Sequence, residues 1–523
     1  MVSGILTMPS QLSDVLPTAV LVGLITLVAY YARRNKQYRL PPGPKGLPIV
    51  GNAWDLPAEG CEWVAYQRWG KQYDSDVIFL RFFGAPVVVL NSAKAALDLF
   101  EKRSTIYSDR QHQVMLHDIV GWGKNFAFLH YGDEWRTHRK LFHQHFNQNM
   151  VHKYQEQMTH ESKKLLQHLL ACQGDFMPCI RTMAAAVILG ITFGMEVQPE
   201  NDPYVNTAEK AMHAMAMVTN PGSYMVDYVP SLRYLPRWAP GAQFKRDGAE
   251  WAAAVTTAYE MPYQFVKRSM ANGTALPSIT SSLLSKLDEG KDNSREEYLI
   301  RHVTGTAYVA GADTTVSALE FFVLAMVLYP EVQKTAQEHI DRVVGKERLP
   351  TFEDRKSLPY ISALMHEVLR WRPVTPLVAS HRSMVDDEYE GYHIPAGSMV
   401  VGNAWAMLHN EERFPNPENF DPMRFITPDG QLSEGAADAM ACFGFGRRIC
   451  PGRHFALEST WVTIAQVLAA LNIGKGVDEH GKLIEPKRDC TPGFLIHPQP
   501  FKAIFKPRSA AASAILQSPT FFD

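Results

Sequence analysis

Phe443-Gly444-Phe445-Gly446-Arg447-Arg448-Ile449-Cys450-Pro451-Gly452 is the stretch on which the reading of this chain turns. A helical pattern runs from Arg453 to Leu471 directly behind it, so Cys450 stands at the mouth of a helix. Glycines at 444, 446 and 452 permit tight backbone turns and close approach to a flat ligand. Backbone N–H groups aimed at a sulfur from a helix start favour the thiolate. A thiolate so placed suits haem iron, because it pushes electron density that favours O–O cleavage. Arg448, two residues earlier, suits a haem propionate. For a cysteine taken alone, a buried structural thiol in a glycine-rich loop remains the plainer reading.

Three patterns upstream add to it. Ala310-Gly311-Ala312-Asp313-Thr314-Thr315 lies in an apolar helical stretch running from about Glu296 to Tyr329, and Asp313 is its only charged side chain between Arg301 and Glu320. An acid beside a hydroxyl can relay protons, with Thr314 facing an oxygen species and Asp313 connected to solvent; a tolerated polar pair is the alternative. Gly311 weakens such a helix by up to about 1 kcal/mol relative to Ala, and space for a ligand is the natural offset. Glu367-Val368-Leu369-Arg370 sets an acid and a base at i, i+3, which read alone is a solvated surface pair. Trp135-Arg136-Thr137-His138-Arg139 puts an indole N–H and a guanidinium on one helical face, able to grip one carboxylate together or to pack as a cation–π pair.

Phe443 to Gly452 matches Phe-x-x-Gly-x-Arg-x-Cys-x-Gly, and with it the chain resembles the cytochrome P450 family along nearly its whole length. The resemblance implies a mainly α fold with small β-sheets, haem b with Cys450 as axial ligand to the iron, and Phe443 and Arg448 beside it. It also implies an oxygen-activating pair at Asp313 and Thr314, and propionate contacts from Trp135, Arg139 and, in the Ala-Ser-His-Arg segment, His381. Glu367, Arg370 and the Arg424 of Pro422-Met423-Arg424-Phe425 would form a buried structural lock, although Met423 stands where many relatives carry an acid. Met115, Leu116 and Trp122 in the 107–124 loop, with Ala307, Val374, Leu377 and Phe494, are the expected substrate lining, each also ordinary core material. The segments Pro230 to Pro236 and Gly311 to Ala318 are similar to those of mushroom secondary-metabolite enzymes of the family.

The rest of the chain sets the context. Its 523 residues carry 52 Lys+Arg against 54 Asp+Glu, a balance with no electrostatic footprint for nucleic acid. Six cysteines with no Cys-x-x-Cys pair exclude a disulfide framework and point to a reducing compartment. His143-x-His145 has no evident third ligand and reads as a solvated or reductase-facing helix. Residues 1–14 are expected in the lumen, and 15–32, an uncharged run followed by Arg33, Arg34, Lys36 and Arg39, read as a transmembrane anchor with the body cytosolic, hence endoplasmic-reticulum membrane. Residues 33–51 read as a basic and Pro/Gly-rich hinge, 52–507 as one large domain and 508–523 as a flexible tail. Short β signals fall at Val77 to Leu80, Val87 to Leu90, Tyr389 to Ile394 and Met399 to Val401, with Phe494 to Ile496 as strand or loop.

No dinucleotide-binding Gly-x-Gly-x-x-Gly turn is present. Electrons from NADPH are therefore expected through a separate cytochrome P450 reductase, with cytochrome b5 as an optional second donor and O2 as oxidant. The expected activity is insertion of one oxygen atom into an apolar or aromatic small molecule. An oxygen-independent isomerase or dehydratase, and a non-enzymatic haem-binding sensor, are the alternatives.

Overall fold

A computed structural model describes residues 38–57, 60–172, 174–219 and 223–518. The expected anchor at 15–32 and most of its basic flank lie outside the described residues. The body is mainly α, with one four-stranded sheet and two two-stranded sheets.

The central helix, Ser294–Leu328, is 35 residues long, spanning roughly 50 Å at 1.5 Å per residue. It is apolar and long enough to cross a membrane, yet it is mostly buried inside the protein. The helix Met177–Phe193 packs along it, and at Gly311 a Cβ would stand 3.2 Å from Ile188 Cγ1. Gly311 thus serves close helix packing as well as ligand space, which the sequence reading had not separated.

In the four-stranded sheet, β1 (Val77–Phe82) and β2 (Ala85–Leu90) form an antiparallel hairpin. Its two-residue loop, Phe83-Gly84, has φ of 51° and 87°, the double left-handed geometry that matches the twist of the strands. β2 pairs in parallel with β6 (Met399–Gly402), which pairs in turn with β3 (His381–Arg382). The strand expected over Tyr389 to Ile394 is instead a second hairpin, β4 (Asp387–Tyr389) and β5 (Tyr392–Ile394), because Glu390 and Gly391 also take positive φ.

Of two C-terminal expectations, one is narrowed and one changes. Phe494 to Ile496 is loop, and the Ile496 N–H donates to the Val374 carbonyl. The tail expected to be flexible carries a helix, Ala510–Gln517, because the Ser509 side chain caps its start and Ala512 and Leu516, one turn apart, are buried.

The lock closes beside the helix Pro359–Trp371. Glu367 and Arg370 are fully buried and joined at 2.7 and 2.9 Å, and Arg424 Nε reaches the same carboxylate at 3.2 Å. Arg370 also donates to the carbonyls of Leu408, Pro417 and Asn419, so one helix is tied to the end of the short helix Ala404–Leu408 and to the loop after it. Removing the carboxylate strands two guanidiniums. Glu367→Ala is expected to cost about 3–5 kcal/mol of stability, read by denaturant unfolding; a loss under about 1 kcal/mol, the worth of a surface pair, would contradict the lock.

Candidate active site

A cavity of about 270 Å³ opens between the central helix and the cysteine loop. Cys450, Phe443, Gly444 and Gly452 line one wall; Ala307, Ala310, Gly311 and Thr314 line the other. The loop is pinned at its base, where the Cys450 N–H donates to the Phe443 carbonyl at 2.8 Å. Gly446 is required there: its φ is 57°, and a Cβ would stand 2.0 Å from the Phe100 carbonyl oxygen. Burial pushes the Cys450 thiol above its ordinary range, against the pull of the Gly452 and Arg453 backbone and of the Arg139 and Arg453 charges. Helix-mouth geometry alone therefore does not offset burial at this sulfur; a bound cation would favour the thiolate further.

Around the cavity rim three guanidiniums are held by backbone carbonyls. Arg448 donates to Ser108 at 2.7 Å and Leu129 at 2.7 Å, Arg139 to Ile449 at 2.7 Å, and Arg110 to Ala127 at 2.9 Å and Ser380 at 2.7 Å. Burial and mutual repulsion lower Arg448 to about 8; burial takes Arg110 to about 10, with Arg139 adding repulsion, and Arg139 to about 10, with Arg453 adding repulsion. Among the described residues no acidic side chain lines this cavity. A ligand bearing carboxylates would supply the missing charge.

The Arg448 guanidinium lies 4.4 Å from the Trp135 ring centre, and Trp135 and Arg139 both line the cavity from the helix Asp133–Phe146. His381 is buried against Phe100, with ring centres 4.0 Å apart, and its Nδ1–H donates to the Tyr107 carbonyl at 2.6 Å; burial lowers its pKa and favours the neutral ring. The donor set fits haem: Cys450 at the helix mouth with the buried Cys442 also on the wall, an apolar slot, and cations able to meet propionates. Arg110 was missed by sequence reasoning. It is a lone arginine in a loop, and its partners arrive from residues 127, 379 and 380.

On the opposite wall the acid–alcohol pair divides. Thr314 lines the cavity and its hydroxyl donates to the Ala310 carbonyl at 2.8 Å. Asp313 faces the other way, toward His497 at 3.5 Å. Of the expected substrate lining, Ala307, Val374 and Phe494 are on the cavity wall, and Leu377 faces an adjoining cavity of about 50 Å³ that shares Phe494. Met115, Leu116 and Trp122 are not on the wall. Met115 is held by its N–H to Asp227 and packs toward Gly248, and Trp122 sits edge-on between Phe128 and Tyr259, so these three are core.

The comparisons with known proteins identify the family. The family model described as "Cytochrome P450" matches residues 41–505. Cytochrome P450 monooxygenase 98 of Postia placenta is 42% identical over 507 residues, 95% of this chain and 96% of its own. Cytochrome P450 monooxygenase ple1 of Rhodocybe pseudopiperita is 40% identical, covering 98% of both chains. Tryptamine 4-monooxygenase of Psilocybe cyanescens is 37% identical across 94% of this chain and 97% of its own. With both the body of the chain and its full-length relatives in agreement, this protein belongs to the cytochrome P450 family, as a monooxygenase.

Proposed function

We propose that the protein holds haem b in the arginine-rimmed cavity with Cys450 as its axial ligand. It inserts one atom of O2 into an apolar or aromatic small molecule of fungal secondary metabolism, with electrons from NADPH through a separate reductase. One observation carries the reading: Cys450 and Thr314 line one cavity with three guanidiniums and, among the described residues, no acidic side chain on its wall. Bound haem supplies the redox chemistry that no side chain of this protein offers.

The chain's own residues do the rest. Arg110, Arg139, Arg448 and the Trp135 face position and neutralise the propionates. The apolar wall of Ala307, Val374 and Phe494 excludes water and orients a substrate without a carboxylate clamp. Thr314 presents a hydroxyl to the oxygen side, and Asp313, one residue away on the other face, is the entry point for protons. The name of one relative, tryptamine 4-monooxygenase, favours a biosynthetic substrate such as an indole. The uncharged run at 15–32 followed by arginines supports a single-pass anchor in the endoplasmic reticulum membrane, with the site on the cytosolic face beside the reductase.

Coexpression with a fungal reductase in yeast microsomes should give NADPH-dependent products one oxygen atom heavier than an indole, terpenoid, polyketide or polycyclic aromatic substrate; NADPH-independent isomerised or dehydrated products would replace this reading with the oxygen-free one. Thr314→Ala should lower product formed per NADPH consumed by about ten-fold or more, and unchanged coupling would remove Thr314 from the proton path. Arg448→Leu should weaken haem retention, seen as a lower haem-to-protein absorbance ratio after gel filtration. Full retention would mean that the arginine rim does not hold the propionates.

A further inference from the structure

Behind the cavity, the central helix carries two carboxylates on its outer face. Asp313 and Glu320 are seven residues apart, two helical turns, and so stand above one another. Between them sits His497, from the loop after Thr491. Its Nδ1 meets Glu320 Oε2 at 2.8 Å and its Nε2 meets Asp313 Oδ1 at 3.5 Å. The loop is fixed there: the Ser317 hydroxyl donates to the Ile496 carbonyl at 2.6 Å, and the His497 N–H donates to Thr491 Oγ1 at 2.9 Å. Phe494, three residues earlier on the same loop, lines the active-site cavity.

The remaining neighbours are charged. Arg181, on the helix Met177–Phe193, lies 3.9 Å from the other oxygen of Glu320 and pairs with Glu209 of the helix Pro203–Thr219 at 2.8 Å. A second cavity of about 20 Å³ is bounded by Arg181, Glu209 and Asp313, enough for about one water. The small cavity thus joins the Arg181–Glu209 pair to Asp313, and Thr314, the next residue along the helix, lines the active-site cavity on the other face.

We propose that His497 is a positioning residue of this proton path: an imidazolium clamped between Asp313 and Glu320 that keeps Asp313 ionised and turned away from the cavity until a proton arrives from the Arg181 side. The proton bonds to an Asp313 oxygen, His497 loses one carboxylate partner, and Asp313 is freed to pass the proton toward Thr314 and return as a carboxylate. His497 keeps its own proton throughout. The inference rests on the monooxygenase reading for its use, although the clamp itself does not.

Burial alone would push the imidazole down, but the two carboxylates outweigh it and raise His497 to about 9, while His497 and Arg181 hold Asp313 below its ordinary range despite burial. A histidine raised on folding stabilises the protein fully below its unfolded value of about 6.5 and loses that contribution as pH rises through its folded value. In the haem-loaded full chain, His497→Gln should therefore unfold at a lower temperature than wild type at about pH 6, with the gap closing by about pH 10. With reductase and substrate, the same variant should lose ~5-fold or more in product per NADPH, move the acidic inflection of the coupling profile upward, and change KM by less than ~2-fold.

His497→Arg, which keeps the cation, should restore coupling. A gap independent of pH, or His497→Gln coupling like wild type, would overturn the proposal. If wild type turns over no substrate, the monooxygenase reading falls and the unfolding gap alone decides on His497. If His497→Gln fails to retain haem, Asp313→Asn serves in its place and must show the same narrowing between pH ~6 and ~10.

Discussion

Three guanidiniums, Arg110 and Arg448 buried and Arg139 half-buried, share one cavity with no carboxylate on its wall among the described residues, and the fold is organised around keeping them there. A buried cation left without partners is among the costliest features a protein can carry. Here the partners are main-chain oxygens from segments far apart in sequence: Ser108, Ala127, Leu129, Ser380 and Ile449. Those oxygens can converge only if the loop after residue 107, the approach to β3 and the cysteine loop are each held in place. The lock at Glu367, Arg370 and Arg424 fixes the loops before the cysteine, and the Gly446 approach to Phe100 fixes the cysteine loop itself. Carbonyls solvate the cations, and the one buried carboxylate acting on them, Asp109, offsets only part of the charge of three guanidiniums. The remaining charge favours a dianionic cofactor over a neutral one.

The central helix separates two chemistries. Its inner face, at Ala307, Ala310 and Gly311, is apolar apart from the hydroxyls of Thr306, Thr314 and Thr315; its outer face carries Asp313 and Glu320 with their cationic partners. Adjacent residues on a helix point about 100° apart. An acid–alcohol pair in direct sequence therefore places the alcohol at the substrate and the acid at the proton supply, without letting bulk water into the cavity.

Much of this was legible because it is encoded locally. The cysteine loop, the central helix and the Glu-x-x-Arg pair each declare themselves through spacing within a few residues, and Arg424 sits in a short motif of its own. Arg110 and His497 carry no local signal: each is a single residue in a loop, and only tertiary contacts 17 to 270 residues away, at Ala127 and Ser380 or at Glu320, give it a role. Met115, Leu116 and Trp122 mislead for the matching reason. Composition makes them equally good as cavity wall or as core, and the packing of Tyr259 and Gly248 against them decides for core. The hairpin at Glu390-Gly391 was hidden because a glutamate rarely takes φ above zero.

The central claim is that the cavity holds haem through the Cys450 sulfur, and the absorption spectrum of the dithionite-reduced, carbon monoxide-bound full chain tests it most directly. The account predicts the strongly red-shifted Soret band of a thiolate-ligated iron, stable on gel filtration. A band typical of histidine ligation, or no haem band at all, would contradict it.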